Sequence, residues 1–373
     1  MGEVITFKGS NFLRQRLILS CLSGRSVRVT EIRSADTEPG LKEYEVNLIR
    51  LLDKLTNGSR IVVSETGTSL LFQPGILVGG GGITHECCVH RGIGYYLEVL
   101  LALGPFCKKP LQCVLKGVTN NQIDPSVDAI KAGGLPVLKK FILVDDGLEL
   151  RVDRRGMPPA GGGQVTFKCP LRKLRPQQIH DAGKIKKVRG VAFALRVSPA
   201  MSNRLVDAAK GVLLKFLPDV YITTDHCKGA NSGKSPGFGL SLWAETTSGV
   251  VYTSDAVSRV ASPGEAPSVP ESIGEQAAFR LLEEIYRGGC VDSTFQNQAA
   301  LYMALGQKDI SKCTTGPLSE YTVHFLRHIK DFLGLTYKLE TRQEEDEELR
   351  LGASKVDVTC IGIGYSNLGI TTV

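Results

Sequence analysis

Leu13, Leu17, Ile18 and Leu22 recur at helical spacing with Arg14 and Arg16 between them, so a helix opening at Ser10 follows a short strand over residues 4–7. Residues 26–33 alternate as a strand, and Glu38-Pro39-Gly40 turns the chain. An amphipathic helix over 41–55 carries Leu48, Leu51, Leu52 and Leu55 on one face and stops near Asn57-Gly58. Strands over 60–64 and 69–72 lead into Pro74-Gly75 and the glycine run Gly79 to Gly82. The order then recurs: a helix over 92–103, a strand over 111–116, a helix over 127–140, strands over 140–144 and 148–152, and the glycines Gly161 to Gly163. Pairing Arg33 with Gly117 and Gly80 with Gly162 gives similar offsets, the signature of an internal duplication.

A third, partial copy is predicted from helices over 294–305 and 319–332 and strands over 335–340 and 355–361. Between the second and third copies, residues 188–287 break the period with a β-α-β-β-α order, which predicts a small α/β domain inserted before the third repeat. The expected organisation is α/β (α+β). Residues 1–187 hold the first two repeats of a large domain, 188–287 the insertion, and 288–373 the third repeat.

Composition narrows the class. With 42% apolar and 22% charged residues among 373, the chain can build a core, and no apolar run approaches the 18–20 residues of a membrane span, so no membrane association is expected. The N-terminus carries no signal-peptide pattern, so the ten cysteines read as reduced intracellular thiols. The net charge of +7 is concentrated: residues 151–189 hold eleven Lys and Arg against two Asp, while the remainder nets −2. Such a surplus suits phosphate contacts, and Arg172, Lys173, Arg175, Lys184, Lys186 and Lys187 are the expected contacts to RNA or an acidic partner. The acidic run 344–348 reads as an exposed loop or helix cap.

Several tempting motifs fail on spacing. Gly229 and Gly233 are separated by three residues where a phosphate-binding P-loop needs four, and Pro236 and Gly237 follow instead of a helix. The tetraglycine lacks dinucleotide-binding spacing. His85, Cys87, Cys88 and His90 are too close in sequence to converge on one tetrahedral zinc, and His324 and His328 lack the glutamate of a zinc helix. No metal and no cofactor are expected.

The most specific string is Arg155-Gly156-Met157-Pro158-Pro159-Ala160-Gly161-Gly162-Gly163, which resembles the signature of the RNA 3′-terminal phosphate cyclase family. The resemblance extends over nearly the whole chain, through residues 33–41, 71–75, 117–121 and 235–239, and is closest to the eukaryotic cyclase-like branch. It implies a large domain of three βα units with a smaller α/β insertion. True cyclases adenylylate a histidine in a Ser-x-His string ahead of a Phe-Leu pair, which requires a nucleophilic imidazole and cations around ATP. Here Ser319-Glu320-Tyr321 precedes Phe332-Leu333, placing a phenol where the nucleophile belongs.

Other positions depart as well. Gly9-Ser10-Asn11-Phe12-Leu13 replaces the family's glycine loop and keeps only Arg14. Asp36, Glu38 and Tyr44-Glu45 stand where cations and a Gln-His pair would be, and Asn297-Gln298 replaces Asp-Gln. The expectation is a protein without catalytic residues. By resemblance it would be a nucleolar factor of the small-subunit processome, required for early pre-rRNA cleavages toward 18S rRNA, which binds a ribosome-assembly GTPase and promotes its GDP/GTP exchange. The alternative is an endonuclease that reuses the old cleft, with Asp36, Glu38 and Glu45 as its carboxylates.

Overall fold

The computed structural model describes residues 4–260, 264, 266–342 and 352–367. The first unit comprises β1 (Ile5–Lys8), α1 (Leu13–Ser23), β2 (Val27–Thr30), α2 (Glu43–Leu55), β3 (Thr56–Asn57), β4 (Arg60–Val63), β5 (Leu70–Gln73) and β6 (Ile76–Leu77). β1 and β2 are parallel, a pairing that needs a crossover connection such as α1, and β5 pairs antiparallel with both β2 and β4. The sheet order is β1-β2-β5-β4, and β3 with β6 makes a separate ribbon.

The second unit repeats this plan with β7 (Ile83–Glu86), α3 (Ile93–Leu103), β8 (Leu111–Gly117), α4 (Val127–Ala129), a π-helical turn (Ile130–Gly134), α5 (Leu135–Phe141), β9 (Glu149–Arg154) and β10 (Gly163–Cys169), in the order β7-β8-β10-β9. A third unit opens with β11 (Gln178–Ile179) and is at once interrupted by β12 (Ile185–Leu195), α6 (Ala200–Leu213), β13 (Val220–Cys227), β14 (Gly237–Thr246), β15 (Val251–Val257) and α7 (Pro270–Arg287). It resumes with α8 (Gln296–Leu305), β16 (Ile310–Thr315), α9 (Glu320–Leu333), β17 (Lys338–Thr341) and β18 (Val356–Ile361). The third sheet, β11-β16-β18-β17, again has one parallel pair and two antiparallel ones. The inserted unit thus precedes all of the third repeat except its two-residue first strand. Its own sheet runs β13-β12-β14-β15.

The helices of the three repeats meet in the middle. α1 packs against α3 and α9, and α8 against α9 and α5. α3 and α8 are buried almost all round, as central helices must be. One apolar cluster therefore runs through all three repeats and into the inserted unit, where Leu240, Leu242 and Ala244 lie in the core beneath α6 and α7.

Some expectations are corrected. Residues 140–144 are not a strand: α5 runs to Phe141, and Leu143 and Val144 lie on an exposed loop. β7, β10, β11, β15 and β16 do form. Gly80 and Gly162 are not equivalent, since the first glycine run precedes a unit's first strand and the second lies between β9 and β10. The acidic run 344–348 lies outside the described residues, as does part of the loop at 261–265. All ten thiols are free, nine of them buried. Among the described residues, no helix is long and apolar enough to cross a membrane.

The signature string joins the second unit to the inserted one. Arg155 donates to both Asp128 carboxylate oxygens at 2.6 and 3.0 Å and to Asp225 on β13 at 2.6 Å. Met157 fills a small apolar cluster with Phe193, Leu195 and Val257. The Pro158–Pro159 peptide is cis, and Gly161 and Gly162 take left-handed φ values of 62° and 83°. The Lys234 amide donates to the Gly161 carbonyl at 2.9 Å, and the Ala160 amide to Ser235 Oγ at 3.0 Å. The Gly229–Ser235 segment is therefore a clasp on the signature loop, its first part a 3₁₀ turn over Gly229–Ser232.

Gly156 and Gly163 let two backbones touch: a Cβ on Gly156 would lie 2.2 Å from the Gly163 nitrogen, whereas one on Gly81 would meet nothing within 4 Å. Gly156→Ala should therefore lower unfolding stability by roughly 2 kcal/mol or more, while Gly81→Ala stays within about 0.5 kcal/mol of the parent. Chemical denaturation of the pair measures both.

Candidate functional site

The first turns of α1 and α9, with the middle of α3, place Arg14, Tyr321 and Glu98 together. Ser319 caps α9, its Oγ accepting from the Thr322 amide at 3.3 Å, and so fixes where Tyr321 projects. α1 begins without a side-chain cap, behind Phe12 at φ 58°, a left-handed conformation that a residue with a Cβ seldom adopts. The Phe12 ring stacks on His324 at 4.2 Å and leans on Tyr321 at 6.0 Å. An aromatic side chain thus stands where the resemblance expects a glycine loop.

Arg14 donates to the Tyr321 hydroxyl through Nε at 3.2 Å and Nη2 at 3.0 Å, and through Nη1 to the Tyr95 carbonyl at 3.2 Å. It pairs with Glu98, and its guanidinium lies 4.4 Å from the Tyr95 ring centroid. Tyr321 donates its own hydroxyl proton to Glu98 Oε1 at 2.7 Å, and Asn297 Nδ2 donates to the same oxygen at 3.0 Å. Gln15 Nε2 donates to the Tyr321 carbonyl at 2.9 Å, while Gln15 Oε1 accepts from His328 Nδ1 at 2.9 Å. Burial pushes the Tyr321 phenol above its ordinary value; Arg14 opposes the shift and Glu98 adds to it. A neutral phenol that accepts twice from Arg14 and donates to Glu98 is a poor nucleophile at neutral pH.

The cavity here is about 230 Å³ and is lined by Arg14, Arg33, Arg91, Tyr44, Glu45, Tyr95 and Tyr321 with the residue 10–13 turn. None of its lining residues is histidine. Each of its three arginines is already matched. Arg14 has Glu98; Arg33 grips both Glu45 oxygens at 2.8 Å; Arg91 grips Asp124 and lies 4.2 Å from the Tyr95 centroid. Glu45 also accepts the Lys42 amide at the start of α2, a helix-capping role. A phosphate entering the cavity would have to displace carboxylates from paired, partly buried arginines.

The three new carboxylates do not converge as an acid–base set. Glu45 faces the cavity under Arg33, whereas Asp36 and Glu38 are exposed, and Glu38 pairs with Lys42 at 2.8 Å.

The basic segment divides. Arg151, Arg155, Lys168, Lys187 and Arg189 are paired with Asp153, Asp128 and Asp225, Glu149, Glu245 and Asp219, most of which come from other elements. Arg172 holds the carbonyls of Val144 and Asp146 at 2.7 and 3.2 Å, pinning the loop after α5. Lys173, Arg175, Lys184 and Lys186 are exposed and make no ion pair among the described residues. Of the six side chains expected to meet phosphates, Lys187 is bound to Glu245 and Arg172 to backbone carbonyls, and the other four are without an ion pair among the described residues.

At the histidine–cysteine string, His85 Nε2 meets Asn47 Oδ1 at 2.8 Å, and Cys87 is buried. Cys88, His90 and Glu43 lie within 4.8 Å of one another, the last two well exposed.

Glu98, Arg91 and Asp124 carry much of this site and were not singled out in the sequence. Glu98 had a visible signal: it is the only charge in the helix Ile-Gly-Tyr-Tyr-Leu-Glu-Val-Leu-Leu-Ala-Leu, and a lone charge in a buried helix needs a partner.

A family model for RNA 3′-terminal phosphate cyclase matches residues 5–339. The chain is 58% identical to a probable RNA 3′-terminal phosphate cyclase-like protein of Drosophila melanogaster, over 98% of this chain and 97% of the other. It is 57% identical to the human RNA 3′-terminal phosphate cyclase-like protein over 98% of both chains. It is 41% identical to the Schizosaccharomyces pombe rRNA processing protein rcl1, again over 98% of both.

Removing one member of a buried pair strands the other charge. Glu98→Ala should cost about 3 kcal/mol of stability, and Tyr321→Phe, which loses hydrogen bonds but keeps the ring, about 1–2 kcal/mol. Urea unfolding of the two variants and their double mutant checks both values, and the two costs should not add.

Proposed function

Because the chain belongs to the RNA 3′-terminal phosphate cyclase family, we propose that it keeps the cyclase scaffold without the cyclase reaction and serves pre-rRNA processing toward 18S rRNA. The observation that carries this reading is the Arg14–Tyr321–Glu98 cluster: the position of the nucleophile is held by a phenol, and every arginine of the cavity is matched by a carboxylate. The name of the fission-yeast relative supplies the biological direction. On this reading the protein works in the nucleolus within the small-subunit processome. It docks on pre-rRNA and on a ribosome-assembly GTPase, whose GDP/GTP exchange it promotes.

The unpaired cations Lys173, Arg175, Lys184 and Lys186 are the docking contacts, since an exposed cation without a partner gains most from an arriving phosphate or carboxylate. An endonuclease reading is weaker. Glu45 is bound to Arg33 and the α2 terminus and Glu38 to Lys42, while Asp36 is exposed beside Arg33.

Replacement of the endogenous protein tests the proposal. Tyr321→Phe should sustain 18S rRNA maturation, because no chemistry passes through residue 321. Lys173→Glu/Arg175→Glu/Lys184→Glu/Lys186→Glu should reduce processome association at physiological salt by tenfold or more, with folding intact. Unchanged association would contradict the docking assignment. Loss of cleavage in a folded Asp36→Ala/Glu38→Ala variant would favour the endonuclease.

A further inference from the structure

A second cavity, of about 630 Å³, lies where the inserted sheet parts from the second unit. That sheet buries one face under α6 and α7. Its other face touches the second unit at α4 and the following π-helical turn, and then opens. Trp243, the only tryptophan of the chain, stands half-buried on this face of β14, between Arg189 on β12 and Thr253 on β15. Lys131 at the π-helical turn, Arg151 and Arg154 on β9, and Asn231 on the 229–232 turn complete the rim.

The charges around this cavity are unevenly used. Asp128 and Asp225 are bound to Arg155, and Asp153 accepts from Arg151 and Thr166. Lys131 and Arg154 are exposed and make no ion pair among the described residues. The acids are therefore neutralised from within, while two cations still face solvent. The Trp243 indole N–H and the Asn231 side-chain amide likewise meet no partner among the described residues. An indole face, two spare cations and an unengaged amide are the parts that hold one nucleotide: stacking for the base, charge for the phosphate, and hydrogen bonds for the base edge. The volume lies within the roughly 300–1,000 Å³ of small-ligand sites.

We infer that this cavity binds a nucleotide of single-stranded RNA, with the base on Trp243 and its phosphates at Lys131 and Arg154. The site is separate from the Tyr321 cavity and from Lys173, Arg175, Lys184 and Lys186. Single strand is required because a base stacked within a duplex cannot present its face to an indole. Stacking gives affinity with little base preference, and the two cations make binding weaken as salt rises. The choice of RNA as ligand rests on the proposed role in rRNA processing. The binding itself is measured on purified full-length protein, so a failure in cells and a failure at this cavity are distinguishable.

The lone tryptophan is the reporter. Titration with an eight-nucleotide single-stranded oligoribonucleotide at low salt should quench its fluorescence saturably. In anisotropy measurements with the same oligonucleotide labelled, Trp243→Ala should raise Kd about tenfold, within the range expected from losing one stacked base. Trp243→Phe should stay within about threefold of the parent, because a benzene ring still stacks. Lys131→Glu/Arg154→Glu should raise Kd tenfold or more with an unchanged melting temperature. Free AMP and a blunt RNA duplex should each bind at least tenfold more weakly than the single strand. The inference is overturned by an absence of quenching, by quenching that Lys131→Glu/Arg154→Glu leaves intact, or by equal binding of duplex. Equal binding of AMP or of an acidic peptide would overturn it in favour of that ligand.

Discussion

The arginine in the first turn of α1 is the constraint on which the rest depends. Arg14 sits where helices from three repeats converge, and a largely buried guanidinium at such a point must be paired or the core will not close over it. Glu98 supplies the countercharge from the second repeat, and Tyr321 supplies a hydroxyl from the third that bridges the two. Electrostatics thereby join elements more than two hundred residues apart. The same arrangement surrounds the cavity of about 230 Å³ with a phenol and with arginines that are already paired.

Neutralisation from within recurs across the molecule. Arg33 with Glu45 and Arg91 with Asp124 extend it around the cavity, and Arg155 between Asp128 and Asp225 repeats it at the joint between the second repeat and the inserted unit. The basic segment obeys it too, since acids from neighbouring strands cover about half of its cations. Lys173, Arg175, Lys184 and Lys186, and Lys131 and Arg154 beside Trp243, are exposed and make no ion pair among the described residues.

Much of this was legible in the sequence, and the reasons for the rest are physical. Helical periodicity located α1, α2, α3, α6, α7, α8 and α9, because each buries an apolar stripe or an entire surface. The edge strand β11 escaped because it has two residues, too few for alternation to show. The loop after α5 imitated a strand because Leu143 and Val144 are apolar, although both are exposed. The tyrosine at the nucleophile position was visible from the string around it. What it does there was not, because its partners Arg14 and Glu98 lie far away in sequence. Counting charges along the chain likewise did not show which cations of the basic segment are paired, since Glu245 and Asp219 reach Lys187 and Arg189 only through the fold.

The central claim is that this cavity neither binds nor activates a nucleoside triphosphate. Incubation of the purified protein with Mg²⁺ and ATP labelled at the α-phosphate, followed by denaturing electrophoresis, tests it most directly. The account predicts no protein–AMP adduct, and none after Tyr321→His either, because the imidazole would still face arginines that have no charge to spare. A labelled band from the unaltered chain, or its appearance on that single substitution, would contradict the account.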